Sequence, residues 1–98
     1  LKERTVKGVA RFLADERLEG DALRVHISQI GPGERSHPPH RHPGVEAFYV
    51  FEGEGTLELD DERHSLRAGD VVMFDSGRLH GLLNSGEAPM RYMVIIRP

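Results

Sequence analysis

Three of the six histidines fall within six positions, His37, His40 and His42, and Glu46 follows four residues after the last. Imidazole nitrogens and a carboxylate are ligands for borderline-hard divalent ions, so this cluster could hold Fe(II), Mn, Co, Ni, Cu or Zn, and its spacing does not choose among them. His40 and His42 are two apart, which on an extended segment sends both rings to one side, and Glu46 keeps even spacing from them. Pro43-Gly44 lies between and would bend the chain, tilting the two histidines toward the start of the segment that carries Glu46. Taken alone, the segment reads equally well as solvated polar residues of a Pro-rich loop. His80 is a fourth candidate. It follows the turn signal Asp75-Ser76-Gly77 and precedes Gly81-Leu82-Leu83-Asn84, so it stands where one strand ends and the next begins.

The elements that must position these residues are strands. Leu23, Val25 and Ile27 alternate with Arg24, His26 and Ser28 before Gly31-Pro32-Gly33 breaks the run, which predicts a half-buried strand near 22–30. Val45 to Phe51 is rich in aromatic and β-branched residues and predicts a second. Its alternation puts Tyr49 and Phe51 on the face opposite Glu46, Phe48 and Val50. Leu57 and Leu59 alternate with Thr56 and Glu58, and the Asp60-Asp61-Glu62-Arg63 corner returns the chain through His64 to Arg67 as a hairpin. Short apolar runs at Val71 to Phe74, Leu79 to Leu83 and Met90 to Ile96 complete the pattern, and Ala10 to Leu18 is the one segment that could be a helix. About seven to nine short strands separated by Gly- and Pro-rich turns predict an all-β sandwich or barrel, with residues 1–98 as a single domain.

Composition narrows the function. The chain has 98 residues, no cysteine, and 13 Lys plus Arg against 16 Asp plus Glu for a formal charge of -3. Without cysteine there is no disulfide frame, thiolate zinc site or thiol nucleophile, so any metal is held by nitrogen and oxygen. Lys and Arg are spread along a slightly acidic chain, which lacks the footprint of a nucleic-acid binder. No apolar run approaches the roughly 18 residues of a membrane helix, and Lys2-Glu3-Arg4 has no apolar stretch behind it, so a cytoplasmic protein is expected. A domain of this size buries only about 60–70% of its unfolded surface, so a metal or a partner subunit would add welcome stability.

Gly33, His40-Arg41-His42, Glu46 and Gly53 resemble the first cupin motif, G(X)5HXH(X)3-4E(X)6G, with six residues rather than five between Gly33 and His40. Gly69, Asp75, Gly77, His80 and Asn84 resemble the second, G(X)5PXG(X)2H(X)3N, with Asp75 where the family has proline. Proline fixes φ and aspartate does not. The motifs occupy about 33–53 and 69–84, and the 15 residues between them match the spacing of a short cupin. The resemblance implies a jelly-roll-like double-stranded β-helix barrel holding one divalent transition metal on His40, His42, Glu46 and His80. Four protein ligands leave up to two positions open on an octahedral ion, as a catalytic site requires.

The function this resemblance implies is that of a metal-dependent enzyme acting on a small oxygen-rich or enolisable molecule, of dioxygenase, isomerase or lyase type. The alternative is a non-catalytic small-molecule-binding or sensor cupin, because one fold hosts many chemistries. Glu46 could also leave the metal and take a proton, and His37 could be a further ligand, an acid/base at the barrel mouth or a plain loop histidine. His26 and His64 are expected to face outward. Arg78, two residues before His80, could hold an acidic substrate group near the mouth or be a solvated surface residue, and Phe48, Val50, Met73 and Phe74 are candidates for the apolar cavity wall or for plain core packing. A homodimer is expected, through the Tyr49/Phe51 face or the terminal strands.

Overall fold

The computed structural model describes residues 2–6, 10–14 and 23–98. Nine strands are present among the described residues: β1 (Lys2–Val6), β2 (Ala10–Ala14), β3 (Arg24–Ile30), β4 (Val45–Glu52), β5 (Glu54–Leu59), β6 (Glu62–Arg67), β7 (Val71–Asp75), β8 (His80–Leu83) and β9 (Met90–Arg97). They form a six-stranded sheet in the order β1-β2-β3-β9-β4-β7 and a three-stranded sheet in the order β6-β5-β8. No helix among the described residues is long and apolar enough to cross a membrane. The segment proposed as a helix is instead a strand over its first half, since Ala10–Ala14 pairs antiparallel with both β1 and β3. Two neighbouring strands with open hydrogen-bonding edges outweigh a weak local preference. Residues 15–18 of that segment lie outside the described residues.

The chain shuttles between the sheets. It passes from β4 in the larger sheet to the β5–β6 hairpin in the smaller, back to β7, across to β8 and back to β9. The hairpin closes with Leu59 opposite Glu62, which leaves Asp60-Asp61 as a two-residue turn with Asp60 at φ 54°. Aspartate tolerates that left-handed conformation because its short polar side chain bonds locally. Between the sheets lies one core of Ile30, Phe48, Val50, Leu57, Leu59, Leu66, Phe74, Leu82, Met90, Tyr92 and Val94. Phe48 stacks edge-on against both Phe74 and Tyr92, with ring centroids 5.4 and 5.5 Å away.

Alternation places β4 as the sequence predicts, with Glu46, Phe48 and Val50 buried and Tyr49 and Phe51 on the other face. In β3 the faces are the reverse of the expectation for His26. Ile30 is buried in the core, and period two puts Ser28 and His26 on its inner side while Val25 and Ile27 face outward. Val25 and Ile27 therefore lie half-buried on the outer face, beside Ile95 and Met93 of β9.

Asn84 ties the end of β8 to two other parts of the chain. Its fully buried side chain donates from Nδ2 to the carbonyls of Ile30, at 2.9 Å, and Ala88, at 2.8 Å, and its Oδ1 accepts from the Gly86 N–H at 2.9 Å. Removing it strands the buried Ile30 carbonyl at the end of β3, at a cost of about 1–3 kcal/mol, and frees the turn before β9 that Gly86 and Ala88 form. Asn84→Ala is expected to lower the melting temperature by roughly 10 °C or more in a thermal melt followed by circular dichroism. A change of only a degree or two would contradict this role.

Candidate metal centre

The loop that carries the first two histidines is stitched to the segment leading into β8. His40 N–H donates to the His80 carbonyl at 2.9 Å, and His80 N–H returns a bond to the His40 carbonyl at 2.8 Å. Further along, His42 N–H donates to the Ser76 carbonyl and Ser76 N–H to the Gly44 carbonyl, at 2.9 and 3.0 Å. These backbone bonds bring together side chains that are 40 positions apart in sequence. Gly44 makes the bend toward β4 at φ +112°, where a Cβ would run into the carbonyl of Arg97. The turn before His80 is held by Asp75, whose Oδ1 accepts from Gly77 N–H at 2.8 Å, so a hydrogen bond does there what the proline ring does in the motif.

The resulting cluster is compact. The ligating atoms of His40, His42 and His80 lie within 4.8 Å of one another. Glu46 Oε1 sits 3.0 Å from His42 Nε2 and 3.4 Å from His80 Nε2, and both Glu46 and His80 are buried. His80 Nδ1 donates to the Arg78 carbonyl at 2.8 Å, and His42 Nδ1 to the Pro43 carbonyl at 3.3 Å. A carbonyl can only accept, so each Nδ1 carries its proton and each Nε2 presents toward the carboxylate. His80 Nε2 has no hydrogen-bond partner although it is fully buried. A nitrogen lone pair facing a carboxylate oxygen is an acceptor against an acceptor, an arrangement a shared cation makes favourable. The donor set therefore fits a divalent transition ion. Burial, reinforced by the neighbouring His37, His80 and His42 rings, pushes His40 down to about 4, so it is neutral and able to donate its lone pair at neutral pH.

A cavity of about 210 Å3 opens beside the cluster. His40, His42, Glu46 and His80 all line it, as does Phe48. His37 stands at its exposed rim with its ring 4.1 Å from that of His40 and its Nδ1 bonded to the Pro38 carbonyl. Three expected wall residues lie elsewhere. Val50 is sealed in the core, Phe74 packs behind His80 with ring centroids 4.9 Å apart, and Met73 is 71% exposed on the outer face of the sheet. Arg78 also turns away from the cavity. Its guanidinium bonds Asp60 and Glu62 at 2.8 and 2.9 Å, because the β5–β6 turn offers two carboxylates on the outside, and that bond holds the Asp60 carboxyl below its usual range. His64 faces outward as expected and bonds Glu62.

His26, Ser28, Ser36 and Tyr92 also line the cavity, although nothing in their local sequence marks them as site residues. One signal could have found two of them, Ser28 and His26: Ile30 is the last apolar residue before a Gly-Pro-Gly break, and residues two and four before it share its face. Tyr92 is then the cross-strand partner of Ser28.

Residues 26–96 match the family described as Cupin domain. Among characterised relatives, the chain is 29% identical over 89 residues to an oxalate-binding protein of Thermotoga maritima, spanning 90% of this chain and 73% of that one. It is 33% identical over 61 residues to the dimethylsulfoniopropionate lyase DddW of Ruegeria pomeroyi, a match spanning 62% of this chain but only 40% of the lyase. A crystal structure of a conserved Klebsiella pneumoniae protein with a double-stranded β-helix domain superposes with a TM-score of 0.74 at 27% identity, covering 97% of this chain and 82% of that one. The match runs from the inner face of β3 through both histidine motifs to β9, and this chain belongs to the cupin family.

Proposed function

We propose that the chain is a metal-dependent enzyme acting on a small oxygen-rich or enolisable molecule, with His40, His42, Glu46 and His80 as the ligands of one divalent transition ion. The observation that carries this reading is the buried, unpartnered Nε2 of His80 facing the Glu46 carboxylate at 3.4 Å. A bound ion would supply Lewis acidity toward a ligand oxygen, the chemistry common to lyases, isomerases and decarboxylases of small acids. The chain's own groups supply the rest. The cavity admits only a molecule of a few heavy atoms, and Phe48, Val94 and Ile96 exclude water from its apolar side. His37, exposed at the rim, can exchange a proton between ligand and solvent, and the Glu46 carboxylate can accept one from a ligand carbon.

A second reading, a module that binds its ligand without turning it over, is favoured by the Thermotoga maritima relative, which is named for binding. One experiment separates the two. Protein purified without chelator is expected to carry about one equivalent of a transition metal by ICP-MS, and His42→Ala to lose most of it. The loaded protein is then incubated with oxalate, dimethylsulfoniopropionate and short hydroxy and keto acids, with products followed by NMR. Turnover that disappears in His42→Ala supports the enzyme, and saturable binding without product supports the binding module. A folded wild-type protein that takes up no metal overturns both.

The outer face of the six-stranded sheet supports a second copy of this chain as a partner. Val71 and Met73 are 67% and 71% exposed there, beside Tyr49 and Phe51, whose rings meet edge-on at 5.0 Å. A contiguous apolar patch of this kind is self-complementary across a two-fold axis. Light scattering is expected to give a dimer for the wild type at micromolar concentration and a monomer for the Val71→Glu, Met73→Glu double variant. A monomeric wild type would contradict it.

A further inference from the structure

The inner wall of the cavity carries hydroxyl groups that metal binding does not use. Ser28 on β3 and Tyr92 on β9 are direct cross-strand partners on the inward face, and Ser36 comes from the loop above them. Arg35 bridges that loop to Leu83, which fixes where Ser36 stands. Ser28, Ser36 and Tyr92 line this cavity together with Glu46. Burial raises the phenol above its ordinary range, so it remains a proton-bearing donor at neutral pH. His26, one inward position along β3 from Ser28, is pushed down by burial and stays neutral. Among the described residues no Lys or Arg lines the cavity. The metal ligands thus suit a chelating oxygen pair, and the same cavity offers the hydroxyls of Ser28, Ser36 and Tyr92 as neutral hydrogen-bonding groups with no Lys or Arg beside them.

We propose that Ser28, Ser36 and Tyr92 form a second recognition pole that hydrogen-bonds an uncharged oxygen at the far end of the ligand. The ligand class is then a short acid with chelating oxygens at one end and a hydroxyl or carbonyl at the other. A second anionic group is disfavoured, because a charge taken from water into this wall meets only neutral donors. Polar residues on the inner side of β3, with Val25 and Ile27 turned out, have a use under this assignment. A wall that served packing alone would carry the apolar residues inside.

The inference rests on the metal reading above, and titration calorimetry on the metal-loaded protein separates the two. Glycerate and lactate share a chelating 2-hydroxy acid end and differ only in a distal hydroxyl against hydrogen. The wild type is expected to bind glycerate roughly tenfold more tightly than lactate. Tyr92→Phe keeps the ring that packs on Phe48, so it is expected to fold, hold its metal and bind lactate within about twofold of wild type while losing the glycerate preference. Ser28→Ala should reduce that preference in the same direction. Full metal occupancy with equal affinities for glycerate and lactate overturns the second pole alone, as does a preference that survives both substitutions. A protein that loads no metal overturns the metal reading and this inference with it.

Discussion

Glu46 Oε1 lies 3.0 Å from His42 Nε2 and 3.4 Å from the buried His80 Nε2 in a corner of this barrel, and much of the site's construction serves to keep them there. Electrostatically, acceptor groups so placed repel unless something positive lies among them. The backbone removes the alternatives. With Nδ1 of His80 and of His42 each bonded to a carbonyl, neither ring can turn its other nitrogen inward without breaking a hydrogen bond.

The fold holds this corner with a backbone ladder to which side chains add. The reciprocal bonds between His40 and His80, and those linking His42, Ser76 and Gly44, form a short ladder between a loop and the turn before β8. Glu46 enters from β4 and shares the larger sheet with β7, where it stands opposite Phe74. Phe74 in turn packs against the His80 ring from behind, so a core aromatic limits how far that ligand can swing. Asn84 closes the far end of β8. Moving the backbone that carries a ligand therefore requires several hydrogen bonds to shift together, which keeps the site in order.

The pattern of His40, His42 and Glu46 was legible because its chemistry is local: three ligand-type side chains at short, even spacings announce themselves, and the turn signal before His80 marks the fourth. Strand positions were legible for the same reason, since alternation and Gly or Pro punctuation act over a few residues. Which face of β3 points inward was not. Val25 and Ile27 look like core residues, and only the neighbouring strand and the buried Ile30 show that His26 and Ser28 face the cavity. The outward pairing of Arg78 was not legible for a comparable reason, because its nearness in sequence to His80 says nothing of the carboxylates that the β5–β6 turn brings to the outside. Ala10–Ala14 became a strand because its partners β1 and β3 are supplied by the sheet.

The central claim, that the facing acceptors are the ligands of one ion, is tested most directly by anomalous diffraction from crystals of the protein as purified, recorded on both sides of the absorption edge of the metal it carries. The account predicts a single strong peak within about 2.0–2.3 Å of nitrogens of His40, His42 and His80 and of a Glu46 oxygen. A peak on other residues, or an ordered water or a protonated imidazole bridging Glu46 and His80 with no anomalous signal, would contradict it.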